Sequence, residues 1–228
     1  LWHIMKHYST YGFKEFVVAL GYKGEYIKRY MTEYCALSPD LRVFLKSGQI
    51  APHANGNGEA IREDWEVDLI DTGQATNTGG RIKRLKPYLG NATFMLTWGD
   101  GVSNINLEDL LKFHRHHGKA ATITAVRPPA RFGRLEIEDN KVTRFDEKPL
   151  EGEAWINGAF FILEPRVFDY IDSDSTLFER EPMEGLARDG ELMAYQHHGF
   201  WQCMDTIRDK VRLESLWESG DAPWKSWR

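Results

Sequence analysis

Two carboxylates stand out because each closes an apolar run. Phe94-Met95-Leu96-Thr97-Trp98 leads into Gly99-Asp100-Gly101, and Phe200-Trp201-Gln202-Cys203-Met204 leads into Asp205-Thr206. Short apolar runs of this kind read as buried strands. In open α/β sheets, ligands sit beyond the carboxyl ends of the strands. Gly99 and Gly101 remove the Cβ atoms that would hold a phosphate or metal away from the backbone. Two carboxylates converging on one edge suit a hard cation such as Mg²⁺, which commonly takes one or two protein carboxylates plus substrate phosphates. Each also has a plainer role. Gly-Asp-Gly is a turn signature that can cap the following helix, and aspartate is among the best N-caps for the final helix.

Thr76-Asn77-Thr78-Gly79-Gly80-Arg81 is a third feature. Two glycines and two hydroxyls before a helix can offer backbone N–H groups to an anion at the positive end of the macrodipole. Arg81 adds a guanidinium fork for phosphate, or a plane for a base. The lysine and glycine spacing of a Walker loop is missing, and an ordinary helix start explains the same residues. Lys148, in Arg144-Phe145-Asp146-Glu147-Lys148-Pro149, can meet a phosphate, and Asn157 a sugar hydroxyl, although Glu-Lys-Pro is also a common exposed turn. His114, His116 and His117 share a helix end, but no carboxylate or thiol is spaced to complete a zinc site. His197-His198 is a similar strand-end pair. Trp217, Trp224 and Trp227 point to a buried contact, within the core or with another subunit. No Gly-x-Ser-x-Gly elbow is present, so covalent acyl chemistry has no support.

The elements that must position these residues follow from periodicity. Leu1–Tyr11 predicts a helix ended by Gly12, uncapped from its first residue, as for a chain whose upstream segment is missing. A buried strand follows over 15–20, a helix over 24–37, and strands over 41–46 and 65–70. Residues 71–80 are rich in turn formers and feed a predicted helix over 81–88. The strand ending at Asp100 comes next, then a helix over 107–117. This alternation implies a mostly parallel sheet with right-handed crossovers. From Ala120 the rhythm changes to strands over 121–126, 135–137, 141–145 and 155–163, a β-rich half added to the sheet. Helices near 165–171 and 181–188, extended segments over 192–197 and 200–204, and a helix over 206–219 complete the chain.

At 228 residues the chain suits one α/β domain, able to bury roughly 70–75% of its unfolded surface. A net charge of −5 argues against nucleic acid or an anionic membrane as partner. No apolar stretch approaches the ~18 residues that span a bilayer. The two cysteines, Cys35 and Cys203, lie far apart and are expected to be reduced, buried and inert, consistent with a cytoplasmic chain.

Taken in order, these segments resemble the sugar-1-phosphate nucleotidyltransferases. The resemblance runs over nearly the whole chain. It rests on Leu1-Trp2-His3-Ile4-Met5-Lys6, Gly21-Tyr22-Lys23-Gly24, Asp71-Thr72-Gly73, Thr78-Gly79-Gly80-Arg81 and Gly99-Asp100-Gly101. It continues through Pro128-Pro129-Ala130-Arg131-Phe132-Gly133, Glu147-Lys148-Pro149, Ile156-Asn157-Gly158, Gly199-Phe200-Trp201-Gln202, Met204-Asp205-Thr206 and Ala222-Pro223-Trp224-Lys225. The resemblance implies a Rossmann-like nucleotidyltransferase fold, with a nucleotide-binding half over 1–118 and a sugar-binding half over 119–228. The implied reaction joins CTP to α-D-glucose 1-phosphate, releasing pyrophosphate and feeding polysaccharide biosynthesis such as O-antigen. Transfer from dTTP or UTP, and a non-catalytic sugar-nucleotide-binding protein, are the alternatives.

By match to the family motifs, Asp100 and Asp205 would bind Mg²⁺, Asp100 and Arg81 acting in catalysis. Thr76, Arg81 and Gly99 would contact the nucleotide, and Lys148 and Asn157 the sugar phosphate. A cytoplasmic homo-oligomer, hexameric by resemblance, is implied. The family opens with a strand and a Gly-Gly-x-Gly-Thr-Arg loop followed by a lysine, all of which would precede Leu1. Without them, the 228-residue chain is expected to be impaired. Cys203 stands where the family usually has proline, a small apolar exchange of little expected effect.

Overall fold

The computed structural model describes residues 1–37, 40–52, 63–128, 134–138, 140–146 and 154–227. The first half runs α1 (Trp2–Thr10), β1 (Glu15–Leu20), α2 (Gly24–Leu37), β2 (Leu41–Phe44), β3 (Gln49–Pro52), β4 (Glu66–Asp71), α3 (Thr78–Arg84), α4 (Lys86–Leu89), β5 (Phe94–Thr97), β6 (Gly101–Ser103) and α5 (Leu107–His117). The second half runs β7 (Ala121–Val126), β8 (Arg134–Glu138), β9 (Lys141–Asp146), β10 (Ile156–Leu163), a 3₁₀ turn (Pro165–Tyr170), α6 (Glu181–Arg188), β11 (Leu192–His197), β12 (Trp201–Cys203) and α7 (Ile207–Glu218).

A four-stranded sheet in the order β11-β7-β10-β5 forms the centre. β11 runs parallel to β7, while β10 runs antiparallel to both β7 and β5. Three of the four strands therefore point one way and β10 opposes them. β1 pairs with β4 in parallel, from Glu15 opposite Glu66 to Leu20 opposite Asp71. β12 pairs with β6 in antiparallel fashion.

Strand alternation divides the core into two layers. Phe160 and Ile162 of β10 face one way, onto Ile4 and Tyr8 of α1 and Leu107 and Leu110 of α5. Phe161 and Leu163 face the other way, onto Val167 and Phe168 of the 3₁₀ turn, Phe178, and Met183 and Leu186 of α6. Helices on both faces give the α/β arrangement that the alternating sequence predicts, but the sheet is mixed rather than mostly parallel, because β10 enters antiparallel between β7 and β5. Phe16 of β1 and Met95 of β5 pack on the same cluster, which draws the β1–β4 pair into the same core. The C-terminal tail closes a third cluster of Leu213, Ala222 and Trp224.

Several boundaries differ from expectation. The strand predicted to end at Asp100 ends at Thr97; the chain turns through Trp98–Asp100, and Gly101 opens β6, whose partner lies about a hundred residues away. Helix α3 begins at Thr78 rather than Arg81. Gly79 and Gly80, read as turn residues, are instead the bare face of the helix. A Cβ on Gly80 would sit 2.5 Å from the Asp174 backbone, and one on Gly79 2.8 Å from the Thr176 carbonyl. The 41–46 segment forms a hairpin with β3, which its mixed composition did not announce.

Candidate active site

β6 and β12 bring the backbones of Asp100 and Asp205 to one edge. Cys203 pairs with Gly101, and the Met204 N–H donates to the Asp100 carbonyl at 2.8 Å. Continuing that antiparallel register sets Asp205 alongside the Gly99-Asp100 turn. Both aspartates are exposed. Neither serves as a helix cap. Asn106 caps α5, accepting from the Glu108 and Asp109 N–H groups. Thr206 caps α7 in a reciprocal capping box with Asp209, an arrangement worth about 1 kcal/mol. The capping role is thus filled elsewhere, and both aspartates lie at the exposed end of the β6–β12 pair. A Cβ built on Gly99 meets nothing within 4 Å, so this turn lies open to a ligand.

The donor set fits a hard cation better than a soft one. Among the described residues no group of three or more histidine, cysteine, aspartate or glutamate side chains is arranged around a metal position. Two carboxylates that leave the remaining positions to phosphate and water match the habit of Mg²⁺. Cys203 is in no disulfide and is half-buried rather than buried, and its Sγ lies 3.2 Å from Asp205 Oδ2. Four of the histidines singled out in the sequence are held by neighbours within the fold. His114 Nδ1 and His117 Nε2 both bond Thr122 Oγ1, at 2.8 and 2.7 Å. His197 Nε2 lies 3.2 Å from both Ser103 Oγ and the Phe200 carbonyl, and His198 packs edge-on to Trp155.

The start of β10 forms the facing wall. Asn157 is opposite Ala125 and Phe161 opposite Ile123, so residues 158–160 all oppose Thr124 alone. This bulge places Ala159 at φ +59, a left-handed conformation costing a non-glycine residue roughly 1–2 kcal/mol. The Ala159 N–H donates to Asn157 Oδ1 at 2.7 Å. The Gly158 carbonyl accepts from Trp201 Nε1, also at 2.7 Å. Since the Asn157 carbonyl oxygen is committed to its own turn, the amide N–H₂ is the part of this exposed side chain that remains for a ligand.

The Thr76–Arg81 segment is more closed than its sequence suggests. The Asn77 and Gly79 N–H groups donate to the Asp174 and Thr176 carbonyls, at 2.8 and 3.0 Å, and Asn77 Nδ2 to the Ser175 carbonyl at 2.8 Å. The amides read as an anion cradle are thus occupied by the loop before α6. Thr76 is buried, and its side chain fills the space that a Cβ would take on Gly73 or Gly80. Arg81 Nη1 donates to the Leu20 carbonyl at 3.0 Å and to Thr72 Oγ1 at 2.7 Å, which ties the ends of β1 and β4 together. Gly21 is what admits this fork, because a Cβ there would lie 2.3 Å from the guanidinium. Arg81 Nη2 also reaches the Gln74 carbonyl at 3.5 Å, so only the outer part of the fork faces outward.

The family model described as nucleotidyl transferase matches residues 2–213. The chain belongs to the nucleotidyl transferase family. It is 48% identical over all 228 residues to the glucose-1-phosphate cytidylyltransferase of Salmonella typhi, spanning 87% of that protein. It is 42% identical over the same span to the probable glucose-1-phosphate cytidylyltransferase of Bacillus subtilis (strain 168). The crystal structure of HddC from Yersinia pseudotuberculosis superposes with a TM-score of 0.64 at 18% identity, covering 92% of this chain and 82% of that one. That last likeness is one of fold.

In this nucleotidyl transferase the structure gathers Gly99, Asp100, Asp205 and the Asn157 bulge around β5, β6, β10 and β12. Arg81 and Thr76 stand with the ends of β1 and β4. Lys148 and the segments Pro129–Gly133 and Glu147–Pro149 lie outside the described residues. Sequence reasoning missed Trp201, which it took as part of an apolar strand. Its spacing four residues before Asp205 was visible, but its bond to Gly158 joins residues with no local pattern in common. The tryptophan tail packs on the chain's own α1: Trp224 Nε1 donates to His3 Nδ1 at 2.8 Å, and Trp217 and Trp227 surround the same ring.

Proposed function

We propose that this transferase joins CTP to α-D-glucose 1-phosphate, yielding CDP-glucose and pyrophosphate. The observation that carries the reading is the 48% identity to a curated cytidylyltransferase over every residue of the chain. A phosphate oxygen of glucose 1-phosphate attacks the α-phosphorus of CTP, the new P–O bond forms in line with the one that breaks, and pyrophosphate leaves with its electron pair. The attacking phosphate is already ionised at neutral pH, so no side chain need remove a proton. The protein's contribution is positioning and charge neutralisation.

Asp100 and Asp205 would hold Mg²⁺, which supplies neutralisation of the phosphate charge when bound. Gly99 lets the nucleotide phosphates approach the backbone, beside Thr76 and the outer part of the Arg81 fork. Asn157 donates its amide hydrogens to the sugar phosphate, with Lys148 as a cationic partner. The nucleotide-binding half spans 1–118 and the sugar-binding half 119–228. No described helix is long and apolar enough to cross a membrane; a cytoplasmic site of action is part of this reading. A homo-oligomer, hexameric by resemblance, completes the reading, and light scattering of the full gene product tests it.

The deciding experiment supplies glucose 1-phosphate and Mg²⁺ with CTP, UTP, dTTP or ATP in parallel and follows pyrophosphate release. It uses the full gene product, including any residues upstream of Leu1. CTP should exceed the others in kcat/KM by at least about tenfold, equivalent to ~1.4 kcal/mol of discrimination. Equal turnover of UTP or dTTP would assign the chain to another nucleotide.

A further inference from the structure

We propose that Trp201 is a positioning residue for the sugar phosphate, holding the bulge that aims the Asn157 amide. This rests on the reading of Asn157 as a sugar phosphate ligand. The indole N–H donates to the Gly158 carbonyl at 2.7 Å, the central peptide of the bulge. On its other side Gly158 is pressed against β7, where a Cβ would lie 2.8 Å from Val126 Cγ1 and 2.9 Å from the Thr124 carbonyl. The peptide is thus clamped between β7 and the indole.

The next residue, Ala159, occupies left-handed backbone at φ +59. A non-glycine residue keeps that conformation only where its surroundings over-determine it. Two hydrogen bonds do so here: Trp201 on the Gly158 carbonyl and Asn157 Oδ1 on the Ala159 N–H. Remove the first and the peptide is free to rotate toward ordinary strand geometry, turning Asn157 with it. The same indole faces Gly101, whose Cβ would come 3.8 Å from Trp201 Nε1. Trp201 also lies on β12, four residues before Asp205. One ring therefore fixes the sugar side of the cleft relative to the carboxylate edge.

Trp201→Phe keeps a ring against Gly101 and deletes the donor. The expected result is a KM for glucose 1-phosphate raised about tenfold, with the KM for CTP changed less than about twofold and the melting temperature nearly unchanged. Trp201→Leu, equally apolar and without a donor, supplies the same reading should the first variant not fold. Asn157→Ala should raise the same KM, and the double variant should be no worse than Asn157→Ala alone, because both act through one contact. Unchanged sugar phosphate KM in Trp201→Phe beside a raised one in Asn157→Ala overturns the positioning role alone. Additive effects, or an equal rise in both substrates' KM, also overturn it. An unchanged KM in Asn157→Ala removes the sugar-ligand reading, and this proposal with it.

Discussion

Thr93 and Asp100 flank the same strand, β5, and their surroundings have opposite characters. At the Thr93 end the polar groups form a closed chain. The Lys119 N–H donates to His117 Nδ1 at 2.9 Å, which leaves the proton of that ring on Nε2 to donate to Thr122 Oγ1. The Thr122 hydroxyl then donates to His114 Nδ1, and His114 Nε2 donates to Glu164 Oε1 at 3.1 Å, where Thr93 Oγ1 also donates at 2.8 Å. One backbone N–H thereby sets the tautomer of two rings. His114 is 1% exposed, and its two partners tie α5 to β7 and to the end of β10.

At the Asp100 end the same sheet carries exposed carboxylates, an open glycine turn and a bulge with a left-handed alanine. The lesson is a division of labour along the strands. The closed end has its polar groups mutually satisfied and contributes stability. The open end carries exposed polar side chains and a strained alanine, the character expected of a ligand site rather than of a packed core.

The largest expected effect breaks the open end without touching the fold. Asp100→Ala, and separately Asp205→Ala, should lower kcat/KM by about three orders of magnitude in a pyrophosphate-release assay, with little change in the urea midpoint. Near-normal turnover in either would remove that residue from the metal reading. At the closed end the pattern should invert. His114→Ala should cost about 2–3 kcal/mol in urea unfolding, through two stranded partners and a cavity, and leave kcat/KM close to wild type. A kinetic defect there, at full stability, would abolish the distinction between the ends.

Two glycines sharpen the contrast further. Gly80→Ala should destabilise by about 1–3 kcal/mol, because the new methyl meets the Asp174 backbone. Gly99→Ala has open space around it and should leave the melting temperature alone while reducing kcat/KM by about tenfold, if phosphate approaches that turn. An unaltered kcat/KM in Gly99→Ala would place the phosphates elsewhere.

The smallest effect is a gentle pH dependence. Burial pushes His3, His7, His117 and His197 below the ordinary histidine value of 6.5. The unfolded chain then binds protons at these sites before the folded chain does. Stability is therefore full above about pH 6.5 and falls as the pH drops from there toward the lower folded values. Urea midpoints should be nearly equal at pH 8 and 7 and then decline at pH 6 and 5.5; a flat series throughout would contradict the burial argument.

Much of the scaffold was legible locally. Helix α5 falls on the predicted residues 107–117, with Gly118 in left-handed backbone as its C-cap, because apolar spacing, acidic first turn and terminal glycine all agree. The strand before Asp100 was recognisable from its apolar run alone. Less legible were the functions of the glycines at 79 and 80, which suited either an anion loop or an ordinary helix start and form a packing face. Their role depends on the 173–176 loop, nearly a hundred residues further along.

What the sequence determined by itself is therefore the catalogue of elements and the presence of a carboxylate at the end of two apolar runs. Periodicity, glycines and caps act within a few residues, and a linear reading can sum them. The caps at Asn106 and Thr206 belong to that local set, because each side chain accepts from N–H groups two or three residues on. Only the tertiary structure decided that β6 would pair with β12, and that Trp201 would reach the Gly158 carbonyl. Those outcomes depend on register and on hydrogen bonds between distant strands, and a strand's own residues do not specify which partner its backbone will meet.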